Sequence, residues 1–409
     1  MINPKIVDKI FSSASIQRWN DYPRMMELVE LDKQAHKFTI AYFLAKLEKD
    51  VNYTHLIEAG IFEFLRRVEV TDIRPDVFRV ILKEKGIELN KWVLDKLSDS
   101  IKDVDSGNFL KKFEDYLNDE NMYKKERFIL KAASYLATRW EFGIVYQTSS
   151  FLHDIDAVKK EVEEEIEDYY ELIGVRKIAL NKKLAKVIDL SGRLRFQKRW
   201  AQTPRIPETS VLGHMLTVAI FGYFYSIKIN ACEKRLQNNF FVALFHDLPE
   251  ALTRDIISPV KYSVDELADI IAEYEVSQIE DKIMPYIPES MKKEFSYILG
   301  LDENNVKDEF DNKIMQDDKI TVVKDMKKYN LDKYDAIDGK ALKQCDKLSA
   351  FIEASLSISH GIKSKELING KKQIMESLDT IQDVDFKEIA RLIDEEFGTT
   401  GTTQTTMEL

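Results

Sequence analysis

The chain has 409 residues, 44% hydrophobic and 32% charged, which is long enough for two globular cores. A net charge of −11 and a pI near 5.3 argue against extended binding to a nucleic-acid backbone, while a small anion needs only a local basic cluster. Two cysteines, Cys232 and Cys345, without paired spacing exclude a disulfide framework and a thiolate zinc site, and suit a reducing cytoplasm.

Few Gly and Pro and abundant Lys, Glu, Leu and Ile predict an all-α chain. Met1 to Lys5 lack the charged-then-apolar run of a signal peptide, and no apolar stretch is expected to reach membrane-spanning length. A cytoplasmic protein without membrane contact is expected. Arg18-Trp19 with Pro23-Arg24 comes first, then His36 heading a helical pattern through Phe38, Ile40, Ala41, Phe43 and Leu44. Phe62 to Ile73 and Leu130 to Ser134 follow, with Glu141 eleven residues past Leu130. His153-Asp154 lies beyond these segments, has no Glu at a useful offset and reads as structural, and His55 and His360 match nothing. The charged run from Val158 to Glu171 reads as a solvent-facing helix joining two halves.

From about Lys177 the order repeats. Arg199-Trp200 with Pro204-Arg205 matches the first Arg-Trp segment, and His214 followed by Leu216, Val218, Ala219 and Phe221 matches the His36 helix. Phe245 to Ile256 matches Phe62 to Ile73 without a gap, and Leu342 to Asp346, followed by Glu353, matches Leu130 to Ser134 and Glu141. Four matches in one order predict a tandem duplication. The expected domains are 1–176, 177–397 with an insertion around 284–338, and a disordered low-complexity tail at 398–409.

The chemistry concentrates in the second copy. His246 and Asp247 are metal-ligand types, and Glu250 at i+4 and i+3 is expected on the same helix face. With His214 and Asp346 they make two imidazoles and two carboxylates, a set that suits one divalent ion and leaves room for water and substrate. Nitrogen and oxygen ligands allow Mn, Co, Ni, Fe or Zn. In the first copy only His36 persists; Glu63, Phe64, Arg67 and Ser134 replace His246, Asp247, Glu250 and Asp346, so no catalytic metal is expected there. Arg193, Arg195, Lys198, Arg199 and Arg205 form a basic cluster that would steer an anionic substrate.

These residues resemble the HD-domain metal phosphohydrolases, closest to the bacterial 5′-deoxynucleotidase (YfbR-like) group. The likeness rests on Arg199-Trp200, on Glu208 to His214, on the run from His246 through Pro259-Val260-Lys261-Tyr262, and on Asp346-Lys347-Leu348. It covers roughly the second half of the chain. The resemblance implies two tandem HD-type helical bundles and a metal held by His214, His246, Asp247 and Asp346. Glu250 would be the acid/base partner of the activated water. Arg199 would hold the 5′-phosphate and Trp200 would lie against the sugar, with Arg205, Asp255 and Lys261 also on the substrate side. The implied reaction is hydrolysis of deoxynucleoside 5′-monophosphates. Hydrolysis of nucleoside triphosphates or other phosphate esters is an alternative, and a nucleotide sensor or scaffold is another. Since single-domain relatives dimerise, the repeats are expected to form an internal pseudo-dimer, with a homodimer open.

Overall fold

Asn3 starts the first helix: its side chain accepts from Ile6 N at 3.0 Å, and Pro4 takes the first helical position, where a missing N–H costs nothing. The computed structural model describes residues 2–254, 256, 264–301 and 310–403. Its first half contains α1 (Pro4–Ser12), α2 (Glu30–Lys46), α3 (Tyr53–Val70), α4 (Pro75–Ile101), α5 (Asn108–Asn118), α6 (Lys124–Ser149) and α7 (Ile155–Glu164). Then come α8 (Ile173–Ala179), α9 (Lys183–Arg193), α10 (Val211–Lys228), α11 (Glu233–Phe245) and the short α12 (Glu250–Thr253). The chain continues with α13 (Leu267–Lys282), α14 (Glu289–Ile298), α15 (Gly339–Ser359), α16 (Lys365–Ser377) and α17 (Phe386–Thr403).

The all-α expectation holds with two local exceptions among the described residues, a two-stranded pairing of Thr380–Ile381 with Val384–Asp385 and a small sheet inside the insertion. There β1 (Asn312–Gln316) pairs antiparallel with β2 (Lys319–Val322) on one side and β3 (Ile337–Asp338) on the other. Strands this short leave no readable alternation. The turn between β1 and β2 places both Asp317 and Asp318 at positive φ, as a two-residue hairpin requires, and that Asp-Asp pair was the available signal.

The two halves share one continuous core rather than two. Buried residues of α2 and α3 (Phe38, Tyr42, Phe43, Phe62) and of α10 and α11 (Phe221, Phe224, Phe241, Phe245) belong to a single apolar cluster. The central helices α2 and α10 pack on each other, α2 also lying along α6 and α10 along α11. At their contact Gly213 has no room for a side chain: a Cβ there would meet Asp32 Oδ1 at 2.8 Å. Ser210 Oγ caps α10 by accepting from Gly213 N at 3.0 Å and donates to Asp32 Oδ1 at 2.6 Å, so the cap ties one half to the other. The insertion ties them again, through Glu294 on Lys46 at 2.7 Å and through Phe295 against Tyr42 and Phe43.

Three further expectations are corrected. Val211–Lys228 is long and apolar enough to cross a membrane, but 89% of it is buried inside the protein, so its composition is that of a core helix. The joining helix does not run through Glu171, since α7 ends at Glu164 and a 3₁₀ turn follows over Glu165–Tyr169. The last helix continues to Thr403, into the segment expected as a disordered tail.

Candidate metal centre

Three helices deliver the polar cluster. His214 sits one turn into α10, His246 directly follows α11, and Asp346 lies in α15. Ligand atoms of His214, His246 and Asp346 all lie within 4.8 Å of one another. Asp247 Oδ2 joins them, 3.2 Å from His246 Nε2 and 3.9 Å from His214 Nε2. Each ring is held by its other nitrogen. His246 Nδ1–H donates to the Ala243 carbonyl at 2.7 Å, and His214 Nδ1 meets Ser349 Oγ at 3.1 Å, which leaves His214 Nε2 facing Asp346 Oδ1 at 2.9 Å.

This donor set fits a divalent cation. His246 Nε2 is buried with only the Asp247 carboxylate, 3.2 Å away, to meet it, so a neutral ring would set two acceptors against each other unless a cation lay between them. Burial alone would lower the His246 pKa, but the neighbouring Asp247 carboxylate reverses this and raises it to about 9. Burial pulls Asp247 up, yet His246, His214 and Arg199 outweigh it and hold the carboxyl well below its usual range. Both shifts express one demand, for positive charge between these groups.

The expected single helix face for His246, Asp247 and Glu250 needs correction. Helix α11 stops at Phe245, and the next residues close tighter bonds, Leu248 N to Phe245 O at 3.0 Å and Glu250 N to Asp247 O at 3.0 Å. Glu250 opens the short α12, 8% exposed, with its backbone carbonyl accepting from Gln197 Nε2 at 2.7 Å.

Beside the cluster stands a second network. Arg199 Nη1 is 3.8 Å from Asp247 Oδ2, and its Nε is 3.3 Å from Glu353 Oε2. Trp200 Nε1 donates to the same Glu353 oxygen at 2.9 Å, and Thr209 Oγ1 to the other at 2.6 Å. Burial would raise the fully enclosed Glu353 carboxyl, but Arg205, Arg199 and His214 bring it down to about 2. Trp200 has φ 55°, a strained left-handed backbone, and its ring lies so close to α16 that a Cβ on Gly370 would meet it at 2.8 Å. Glu353 is the residue that sequence reasoning left without a role. Its match with Glu141 was visible, but not that both arginine and tryptophan end on it.

The basic cluster does not survive as a patch. Arg195 is fully buried, bonded to Glu141 at 2.9 Å, and Arg205 is 5% exposed, donating to Pro207 O and to Thr209. Lys198 pairs with Glu208 at 3.3 Å. Of the five, Arg199 is the one beside the metal ligands. Asp255 and Lys261 lie outside the described residues, as do Pro259, Val260 and Tyr262. His153 and Asp154 are exposed, and His55 stacks on Tyr123 at 4.0 Å.

The first half repeats this plan in a different register from the one expected. Isolated backbone bridges join Gln17 to Val29 and Lys198 to Ser210, each pair 181 residues from its counterpart, as are Arg18-Trp19 and Arg199-Trp200. Arg18 Nε and Trp19 Nε1 both reach Glu141 Oε2, at 2.9 and 3.2 Å, and Trp19 has the same φ of 55°. In this register the counterpart of His214 is Lys33, not His36. Lys33 Nζ donates to Ser134 Oγ at 2.6 Å, just as His214 meets Asp346. His36 turns elsewhere, its Nε2 on Ile188 O at 3.0 Å and its Nδ1 3.4 Å from Arg195.

Comparison with known proteins agrees with this assignment of the chemistry to the second half. A family model described as HD domain matches residues 191–375. The chain is similar to a 5′-deoxynucleotidase of Cronobacter sakazakii (strain ATCC BAA-894), 27% identical over 116 residues, which cover 26% of this chain and 55% of the relative. The alignment thus spans little more than half of the relative's length. Two histidines and two aspartates converge inside the matched residues, so it is the segment 191–375 that is similar to the HD domain.

Proposed function

We propose that the HD domain is a divalent-metal phosphohydrolase for small nucleotides, with deoxynucleoside 5′-monophosphates as the leading substrates. The observation that carries this reading is the Arg199 guanidinium, 3.8 Å from Asp247 within a His-Asp set suited to a cation. A phosphoryl group held by Arg199 lies next to that set. His214, His246, Asp247 and Asp346 would hold the ion, drawn from Mn, Co, Ni, Fe or Zn. When bound, it lowers the pKa of a water and polarises a phosphoryl oxygen.

The chain's own groups do the rest. Arg199 offers a planar fork to two phosphate oxygens, and Glu353 fixes that fork from behind. Glu250 accepts the water's proton or delivers one to the leaving 5′-oxygen. Trp200, wedged between Glu353 and Gly370, presents an apolar wall for a sugar. The same reading takes residues 1–176 and 177–397 as tandem copies packed as an internal pseudo-dimer, cytoplasmic, with the first copy inactive.

Phosphate release from ribo and deoxy mono- and triphosphates, each with Mn, Co, Ni, Zn or Mg, tests the proposal. Release from deoxy-monophosphates, abolished by His246→Ala/Asp247→Ala, is the expected result. Release from triphosphates alone reassigns the substrate, and silence across the panel overturns the enzymatic reading in favour of a sensor or scaffold.

A further inference from the structure

A cavity of ≈ 2020 Å³ opens in the first half, lined among others by Arg18, Trp19, Lys33 and Ser134. It exceeds the roughly 300–1,000 Å³ that commonly hold a small molecule. Its walls carry Arg18, Lys33, Lys37, Arg66, Arg67 and Arg127. Carboxylates such as Asp21, Glu63, Asp72 and Glu161 line it as well, so what matters is which of the cations lack a direct partner.

Three of these cations are already matched. Arg18 pairs with Glu30 and Glu141 at 2.8 and 2.9 Å, Arg67 with Asp72 at 2.9 Å, and Lys37 with Glu63 at 3.0 Å. Among the described residues the other three form no direct ion pair, although the Glu30 charge acts on Lys33 and the Glu63 charge on Arg66 and Arg127. Lys33 donates to the neutral Ser134 hydroxyl, and Arg127 donates to the carbonyls of Met122, Tyr116 and Asp119. Arg66 keeps both Nε and Nη2 buried with no hydrogen-bond partner. A half-buried guanidinium with two enclosed, unmet donors is costly unless something supplies acceptors.

We propose that this cavity is a metal-free binding site for a phosphate-bearing anion, held by Lys33, Arg66 and Arg127. The substitution pattern explains the change of ligand. Where the second half places His214 and Asp346 around a cation, the first places the Lys33 ammonium on Ser134. A metal is repelled there, and an anion takes its place. Burial first, and then Arg18, Lys37 and Arg67, push the Lys33 pKa down to about 7 against the pull of the neighbouring Glu30. The site is separate from the metal centre and does not depend on what that centre hydrolyses.

The test is calorimetric titration of the full chain, stripped of metal with EDTA, using inorganic pyrophosphate and, separately, deoxyadenosine monophosphate. All titrations are repeated in an Arg199→Met background, so that binding at the metal centre is removed. Expected is saturable binding that survives Arg199→Met and weakens about tenfold or more in both Lys33→Met and Arg66→Met. Lys33→Arg, which retains the charge, should restore most of it. Tighter binding of the nucleotide identifies a nucleotide pocket, and tighter binding of pyrophosphate an inorganic polyanion pocket. Binding that disappears with Arg199→Met, that is indifferent to both first-half substitutions, or that is not detected at all overturns the proposal. Circular dichroism of each variant shows that loss of binding is not loss of fold.

Discussion

The two halves use one frame for opposite electrostatics. In both, an Arg-Trp pair at a strained turn is clamped by a buried Glu, Glu141 in the first and Glu353 in the second. One turn into the central helix the two part company: Lys33 faces Ser134, whereas His214 faces Asp346. The clamp therefore belongs to the frame, and the residues it points towards decide between a cation site and an anion site. On the proposed reading, one metal centre per chain follows from that difference.

The sharpest way to break the comparison is to remove the charge that the second half alone supplies. Asp247→Asn takes away the carboxylate shared by both imidazoles, and His246 Nε2 then lacks its charged neighbour. Metal content measured by atomic emission should fall from one ion per chain to background, and phosphate release should fall with it. Glu250→Gln keeps the ligands, so metal should stay bound while kcat drops about 10²–10⁴-fold. Retained activity in Asp247→Asn would separate the hydrolysis from this site.

A smaller effect should come from the clamps. Glu353→Gln frees Arg199 and Trp200 beside the substrate, so kcat/KM should fall about 10–100-fold. Glu141→Gln should leave activity unchanged. It breaks pairs to Arg18 and the fully buried Arg195, so unfolding free energy should drop by about 3–5 kcal/mol. The Glu353 carboxyl is depressed from 4.5 to about 2, so the stability it contributes is complete above pH 4.5 and fades as pH falls towards 2. Denaturant titrations of wild type and Glu353→Gln should converge over that window.

Lys33 gives a change of opposite sign. Its folded pKa of about 7 lies below the ordinary 10.5, so its charge destabilises the fold progressively as pH drops from 10.5 to 7, and by a constant amount below. Lys33→Met should therefore stabilise the protein by about 1–4 kcal/mol at neutral pH, with the gain vanishing near pH 10.5. A destabilised Lys33→Met would mean that the ammonium serves packing rather than a ligand.

How far the sequence revealed this depends on the range of each signal. His246, Asp247 and Asp346 were legible because their motifs are local and their chemistry is narrow. Arg195 and Arg205 were misread as surface charge because their partners, Glu141 and Thr209, are assigned by folding and not by adjacency. The pairing of His36 with His214, 178 residues apart, slipped by three from the structural 181. Residues three apart share a helix face, so an apolar pattern matches almost equally well in either register. The Arg-Trp and Pro-Arg pairs already carried the 181-residue spacing, and the backbone bridges at Gln17 and Lys198 extend it to the central helices. The β1–β2 hairpin was hidden for a related reason: two short strands offer too few positions to show a period.

The smallest expected effect makes the finest distinction, because it alters the same atom in both halves. Trp19→Phe and Trp200→Phe each delete one indole N–H, donated to Glu141 at 3.2 Å and to Glu353 at 2.9 Å. Each loses a hydrogen bond to a charged acceptor, so both should cost about 1–3 kcal/mol of stability. Frame and site then separate in the kinetics. Trp200→Phe slackens the wall beside Arg199 and should raise KM several-fold for deoxynucleotides, with no effect on inorganic pyrophosphate binding in the first half. Trp19→Phe should leave KM and kcat as they are. Equal kinetic losses in the two variants would show that the halves are coupled through α2 and α10, since Asp32 and Ser210 join those helices directly, one turn before His214.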